Sequence, residues 1–213
     1  MPDREQIFAS LRSDLKDIIL RTGGLDEAEE KKYLESFAER ICEAAEAEAL
    51  TIYQNQGSEN IFYFIYYHPS LLHSVYSSPA MVSCLKEKLV GYRIPEGVGI
   101  VGEVIQTGKS FIFSKDKDRR RMLDLSEYTG FAVSSMVTVP LALQSPIGAL
   151  QILNKNRYSD RFKFVEEDLE VIEPLSDLLS LLLAKSWQLL DGEAEDSESQ
   201  AEIKEDLNPS DLR

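Results

Sequence analysis

The chain has 213 residues, 43% of them hydrophobic, and Lys+Arg 23 against Asp+Glu 37 gives a net charge of −14. That length suits one domain with extensions and a real core, while the acidic balance excludes sequence-independent binding to nucleic acid or to an anionic membrane, both of which need positive surface. Cys42 and Cys84 form no CxxC, and His68 and His73 are the only histidines, so neither a zinc site nor a disulfide framework is indicated and a reducing compartment is expected.

Ile7, Phe8, Leu11, Leu15, Ile18 and Ile19 recur at helical spacing, which predicts an amphipathic helix stopped at Thr22-Gly23-Gly24. Asp26 caps a second helix, with Glu27, Glu29 and Glu30 in its first turn and Leu34, Phe37, Ala38, Ile41 and Ala45 on its inner face. Leu50 to Gln54 and Asn60 to Tyr67 read as strands joined by a turn-rich hairpin connection. The run Phe62-Tyr63-Phe64-Ile65-Tyr66-Tyr67 is apolar or aromatic on both faces, so the sheet is expected to be covered on both sides. Those aromatics read either as ordinary core or as a wall for a planar ligand. Pro79 to Leu89 predicts a short helix carrying Met81, Cys84, Leu85 and Leu89.

Gly97, Gly99 and Gly102 lie among small apolar residues and predict a turn running into a close-packed helix, ended by Gly108. Ser110 to Phe113 is a short strand, and Ser134 to Leu143 with Pro146 to Leu153 forms a hairpin about Gln144-Ser145-Pro146. From Lys109 to Arg121 runs the chain's one basic cluster, Lys109, Lys115, Lys117, Arg119, Arg120 and Arg121 against Asp116 and Asp118. It reads as a solvated loop or as an attractor of anions. Glu166-Glu167-Asp168 opens a long helix that Pro174 should bend near residue 170. Its apolar positions occupy more than one face, which predicts a homodimer through this helix and the first. From Asp191 onward nine acidic residues face only Lys204 and Arg213, and this tail is expected to be disordered. Met1-Pro2-Asp3-Arg4-Glu5 has no apolar leader and no stretch suffices to cross a bilayer, so a cytoplasmic location is expected.

Gly99-Ile100-Val101-Gly102-Glu103-Val104, Thr107-Gly108-Lys109, Thr129-Gly130-Phe131, Val139-Pro140-Leu141, Ile147-Gly148 and Asn154-Lys155 follow one another in an order and at spacings that resemble the GAF domain family. Within it the pattern looks most like the regulatory domains of cyclic-nucleotide phosphodiesterases and adenylyl cyclases, over roughly residues 26 to 187. The resemblance implies an α+β fold: a central antiparallel β-sheet with helices on both faces and the N- and C-terminal helices packed together on the back. It implies three parts, an N-terminal helix (1–24), the domain (25–190) and the acidic tail (191–213).

The resemblance also implies a chamber on the front of the sheet, lined by Ile100 and Val101 of the Gly-Ile-Val-Gly turn and by Thr129. Four further positions depart from the cyclic-nucleotide binders. Ser126 stands where they carry an acidic residue, Val133 where they carry a second threonine, Met122 where they carry an aromatic, and Gln151 where they carry a glutamate. Removing such buried polar partners costs about 1–3 kcal/mol each, so the ligand is expected to differ while the chamber persists. Asn154-Lys155 and the Phe164 to Asp168 stretch resemble the family's structural signature, which implies a Lys155–Asp168 salt bridge.

Enzymatic members such as the free methionine sulfoxide reductases need neighbouring cysteines, which Cys42 and Cys84 do not supply, and no other catalytic set is present. The expected function is a non-catalytic sensor of a small ligand, a cyclic nucleotide (cAMP or cGMP) or another purine-like molecule, that signals through a helical dimer to an effector protein. The alternative is a degenerate module that acts as an interaction or dimerisation scaffold. No nucleic acid, membrane or metal is expected among its partners.

Overall fold

The computed structural model describes residues 3–21, 25–71, 78–114, 131–155 and 163–188. The Thr22-Gly23-Gly24 stop, the basic cluster beyond Lys109 and the acidic tail lie outside the described residues. The elements are α1 (Arg4–Ile19), α2 (Glu27–Ala45), β1 (Ala47–Asn55), β2 (Glu59–Tyr67), α3 (Pro79–Leu89), β3 (Arg93–Pro95), α4 (Gly99–Thr107), β4 (Phe111–Ser114), β5 (Ser135–Ala142), β6 (Pro146–Lys155) and α5 (Glu166–Ser186). The six strands form one sheet in the order β3-β2-β1-β6-β5-β4, every neighbouring pair antiparallel. Among the described residues no helix is long and apolar enough to cross a membrane.

Strand alternation divides the interior into two cores. Leu50 and Ile52 of β1, Val137, Val139 and Leu141 of β5, and Leu150 and Ile152 of β6 face the back, under α1, α2 and α5. Ala49 and Tyr53, Met136, Ala149 and Leu153 face the front, under α3 and α4. The aromatic run of β2 serves both sides: Tyr63, Phe64 and Tyr66 join the back core, whereas Phe62, Ile65 and Tyr67 join the front. A bulge opposite Ile52/Tyr53 lets Tyr63 and Phe64 point the same way.

The caps explain the helix starts. Asp26 accepts from Glu29 N–H at 2.8 Å while the Glu29 carboxylate accepts from Asp26 N–H at 3.2 Å, a reciprocal pairing that opens α2. Ser78 accepts from Met81 N–H at 3.2 Å and starts α3. Gly97 turns with φ 71°, and a Cβ on Gly102 would lie 2.5 Å from the Gly97 carbonyl carbon, so α4 can press against that turn only with glycine at 102.

Helix α1 buries Phe8, Leu11 and Leu15 to 1% exposure or less against α2 and α5, each worth about 1.5–3 kcal/mol. The N- and C-terminal helices therefore pack together on the back, as the fold class implied. Within the stretch of α5 from which a homodimer is expected, Leu182, Leu183 and Ala184 are buried in this single chain and Leu181 is 39% exposed. Helix α5 runs through Pro174 without interruption.

Candidate functional site

The front face of the sheet carries a polar row at its centre. Gln151 of β6 lies directly opposite Thr51 of β1 on one side and Thr138 of β5 on the other. All three are buried, with Thr138 wholly inaccessible. Gln151 Nε2 donates to Thr138 Oγ1 at 3.0 Å and contacts Met136 Sδ at the same distance, and its Oε1 accepts from the Tyr53 hydroxyl at 3.0 Å. Burial pushes the Tyr53 phenol well above its ordinary value, so it remains a donor throughout the physiological range. A carboxamide between two hydroxyls offers donor and acceptor side by side in an otherwise apolar setting.

That setting is supplied by α4 and α3. Ile100 and Val101, both buried, open α4, and Val104, Ile105, Leu85 and Leu89 extend the same apolar cover. Phe62 packs on Tyr53 with ring centroids 4.5 Å apart, and Tyr67 meets Phe131 edge-on at 5.3 Å. These contacts make the front aromatics part of the core.

Of the seven residues expected at the chamber, Ile100, Val101 and Gln151 are buried in the front core, and Val133 is half-buried against it. Met122, Ser126 and Thr129 lie outside the described residues. Tyr53, Thr51 and Thr138 were not among the expected site residues. Their signal in the sequence is a hydroxyl interrupting apolar runs, as in Leu50-Thr51-Ile52 and Val137-Thr138-Val139.

The end of β6 ties this front face to the back. Asn154 adopts a left-handed φ of 55°. Its Oδ1 accepts from Ser134 N–H at 2.8 Å, and its Nδ2 donates to the Ala132 carbonyl at 2.9 Å and to the Glu48 carboxylate at 3.0 Å. Asn154 thereby fixes the segment that enters β5 from the front. The next residue works on the other side: Lys155 Nζ donates to both Asp168 oxygens at 2.9 Å, the salt bridge implied by the resemblance. Asp168 also accepts from Val165 N–H at 2.9 Å and from the Arg4 guanidinium at the start of α1.

A second polar cluster lies on the back. Glu30 of α2 is buried and accepts from the hydroxyls of Tyr63 and Ser186. Burial outweighs those bonds and holds its carboxyl above the ordinary range. Trp187, just past α5, stacks edge-on against Tyr63 at 5.1 Å. Cys42 is buried on α2, where desolvation raises its thiol, and Cys84 is exposed on α3. His68 accepts at Nδ1 from Ser70 and Leu71 N–H, each at 3.2 Å. Among the described residues no group of three or more His, Cys, Asp or Glu is placed to hold a metal ion.

A family model described as GAF domain matches residues 32–184. No curated protein sequence matches the chain. Among solved structures, the chain is similar to the GAF domain from Acinetobacter phosphoenolpyruvate-protein phosphotransferase, with 14% identity, 88% of this chain and 97% of that one covered, and a TM-score of 0.59. It is similar to free methionine-R-sulfoxide reductase from Neisseria meningitidis in complex with its substrate, with 16% identity, coverage of 89% and 96%, and a TM-score of 0.59. The nlh2 GAF domain of A. Aeolicus in an inactive state matches with 15% identity, coverage of 86% and 99%, and a TM-score of 0.58.

Proposed function

The chain belongs to the GAF domain family, and from that membership we propose that it is a non-catalytic regulatory module which holds a small, purine-like ligand against the front of its sheet. The buried row Thr51–Gln151–Thr138, joined by Tyr53, carries this reading. Placing four polar side chains in the middle of a core costs stability relative to an apolar filling. A recognition surface accounts for that cost where packing alone does not. The Gln151 amide presents the donor and acceptor pair that a purine edge complements, so cAMP and cGMP are the first ligands to try, in line with the resemblance to phosphodiesterase and cyclase domains. Cys42 supports the non-catalytic reading, because a buried thiol held protonated on the back helix is a poor nucleophile.

The test is thermal melting of the protein and of Gln151→Leu with cAMP, cGMP and adenosine. Binding at about a hundred times Kd adds about 2.7 kcal/mol, a rise of several degrees that the variant should lack. No shift with any of the three removes the purine version. A second reading, an interaction scaffold with a filled front, is favoured by one observation: the Gln151 amide is already bonded to Tyr53 and Thr138. Native mass spectrometry of the freshly purified protein separates the two through any retained small molecule. It also reports on the expected homodimer, for which α5 still exposes Leu181 beside the residues buried within this chain.

A further inference from the structure

Among the described residues the outer edge of β2 is only partly covered. Strand β3 pairs with Glu59, Asn60 and Ile61, and Phe62 continues the ladder with bonds to Gly91 and Tyr92. Among the described residues no backbone bond extends the cover past Phe62. There a groove of about 640 Å³ opens, floored by Tyr63, Phe64 and Ile65 between α2 and α3. Phe64 packs with the back core and Ile65 with the front. A groove that touches both must run along the strand's edge, since one face of a strand shows only alternate residues.

The walls carry charge of one prevailing sign. Glu27, Glu30, Glu35 and Glu87 line the groove against Lys31 and Lys86. The α2 wall continues past it with Glu39 and Glu43, one and two turns beyond Glu35. Lys86 is half-buried, its amine 5.8 Å from the Tyr66 ring. Val90, 52% exposed, supplies an apolar lip on the α3 side.

We propose that this edge accepts an extended cationic segment of another protein as an added strand, in line with β3 and between α2 and α3. Main-chain bonds to the edge of β2 supply affinity. Apolar side chains of the segment rest on Val90 and Ile65 on the α3 side, and its lysines or arginines meet the carboxylates of α2, which set orientation and association rate. This site is separate from the front of the sheet, so it stands or falls without the small ligand.

The probe is a fluorescent synthetic peptide alternating lysine and valine, about ten residues long so that it overspans the open edge at ~3.4 Å per residue. Fluorescence anisotropy with the full chain should show saturable binding, weakened about ten-fold or more in the double variant Glu35→Lys with Glu39→Lys. Both positions are exposed, and circular dichroism checks that the fold is kept. N-methylation of alternate peptide nitrogens in one frame should abolish binding, while the other frame leaves it within about two-fold, because only one set of N–H groups faces the edge. Absence of binding, equal binding of a glutamate-valine peptide, or equal effects of the two methylation frames would each overturn the proposal. So would concentration-dependent dimerisation lost in the double variant, which would make a second copy the occupant.

Discussion

Asp168 is wholly buried and Lys155 is 4% exposed, so the two form an ion pair cut off from water. Replacing Asp168 by asparagine keeps the size but leaves the Lys155 ammonium facing a neutral amide inside the protein. It also weakens the carboxylate's bonds to Val165 N–H and Arg4. Breaking a buried pair from one side costs about 3–5 kcal/mol, a large share of the 5–15 kcal/mol by which domains are ordinarily stable. Lys155→Met is expected to cost less, about 1.5–3 kcal/mol, the scale of lost charge-assisted hydrogen bonds. The reason is that Asp168 keeps the Arg4 guanidinium and the Val165 N–H. Arg4→Ala should cost at most about 1 kcal/mol, since that side chain is 34% exposed. The assay is urea unfolding at neutral pH followed by the fluorescence of Trp187, the chain's one tryptophan, packed on Tyr63. The double variant should fall short of the sum of its singles by about 1–3 kcal/mol. Additive costs, or equal costs for the two single variants, would refute the reasoning.

Glu30 holds its proton more tightly folded than unfolded, so its stabilising share is full below the ordinary value of 4.5 and is lost as pH rises through the raised folded value. Glu30→Gln should therefore gain stability over the wild type as pH rises above the ordinary value of 4.5, and a difference in melting temperature that is flat or shrinks with rising pH would count against this. Gly102→Ala drives a Cβ into the Gly97 backbone and is expected to cost about 1–3 kcal/mol in the same urea experiment. Leu11→Ala should cost about 2–5 kcal/mol because Leu11 is inaccessible beneath α1, whereas a detachable helix would register almost nothing. A thiol reagent should label Cys84 at once and Cys42 only on unfolding, as timed mass spectrometry can follow.

Helix positions were legible because apolar spacing and caps are local properties. Asp26, Gly108 and the acidic start of α5 act where the sequence puts them. The start of β1 was not legible: Ala47-Glu48-Ala49 has helical propensity, and the expected strand began at Leu50. It is extended because Glu46 closes α2 in a left-handed conformation and Ala47 and Ala49 pair with Lys155 and Leu153, a tertiary override of propensity. Strand β3, three residues at the sheet's edge, gives no periodicity to read. At the site, Gln151 stood out by its departure from the family pattern, but its row with Thr51 and Thr138 depends on the register of three strands distant in sequence. Arg4 was invisible for the same reason, since its partner Asp168 lies 164 residues further along the chain.

The grip of Arg4 on Asp168 and the burial of Phe8, Leu11 and Leu15 bear on how this protein should be handled at the bench. The family model starts at residue 32, and a fragment trimmed to that span would discard α1 entirely and cut into α2. The greasy patch so bared would invite fragments to stick to one another. Pairing seen with such a fragment would not separate a native interface from the newly bared patch, so the oligomeric state has to be measured on molecules that retain α1.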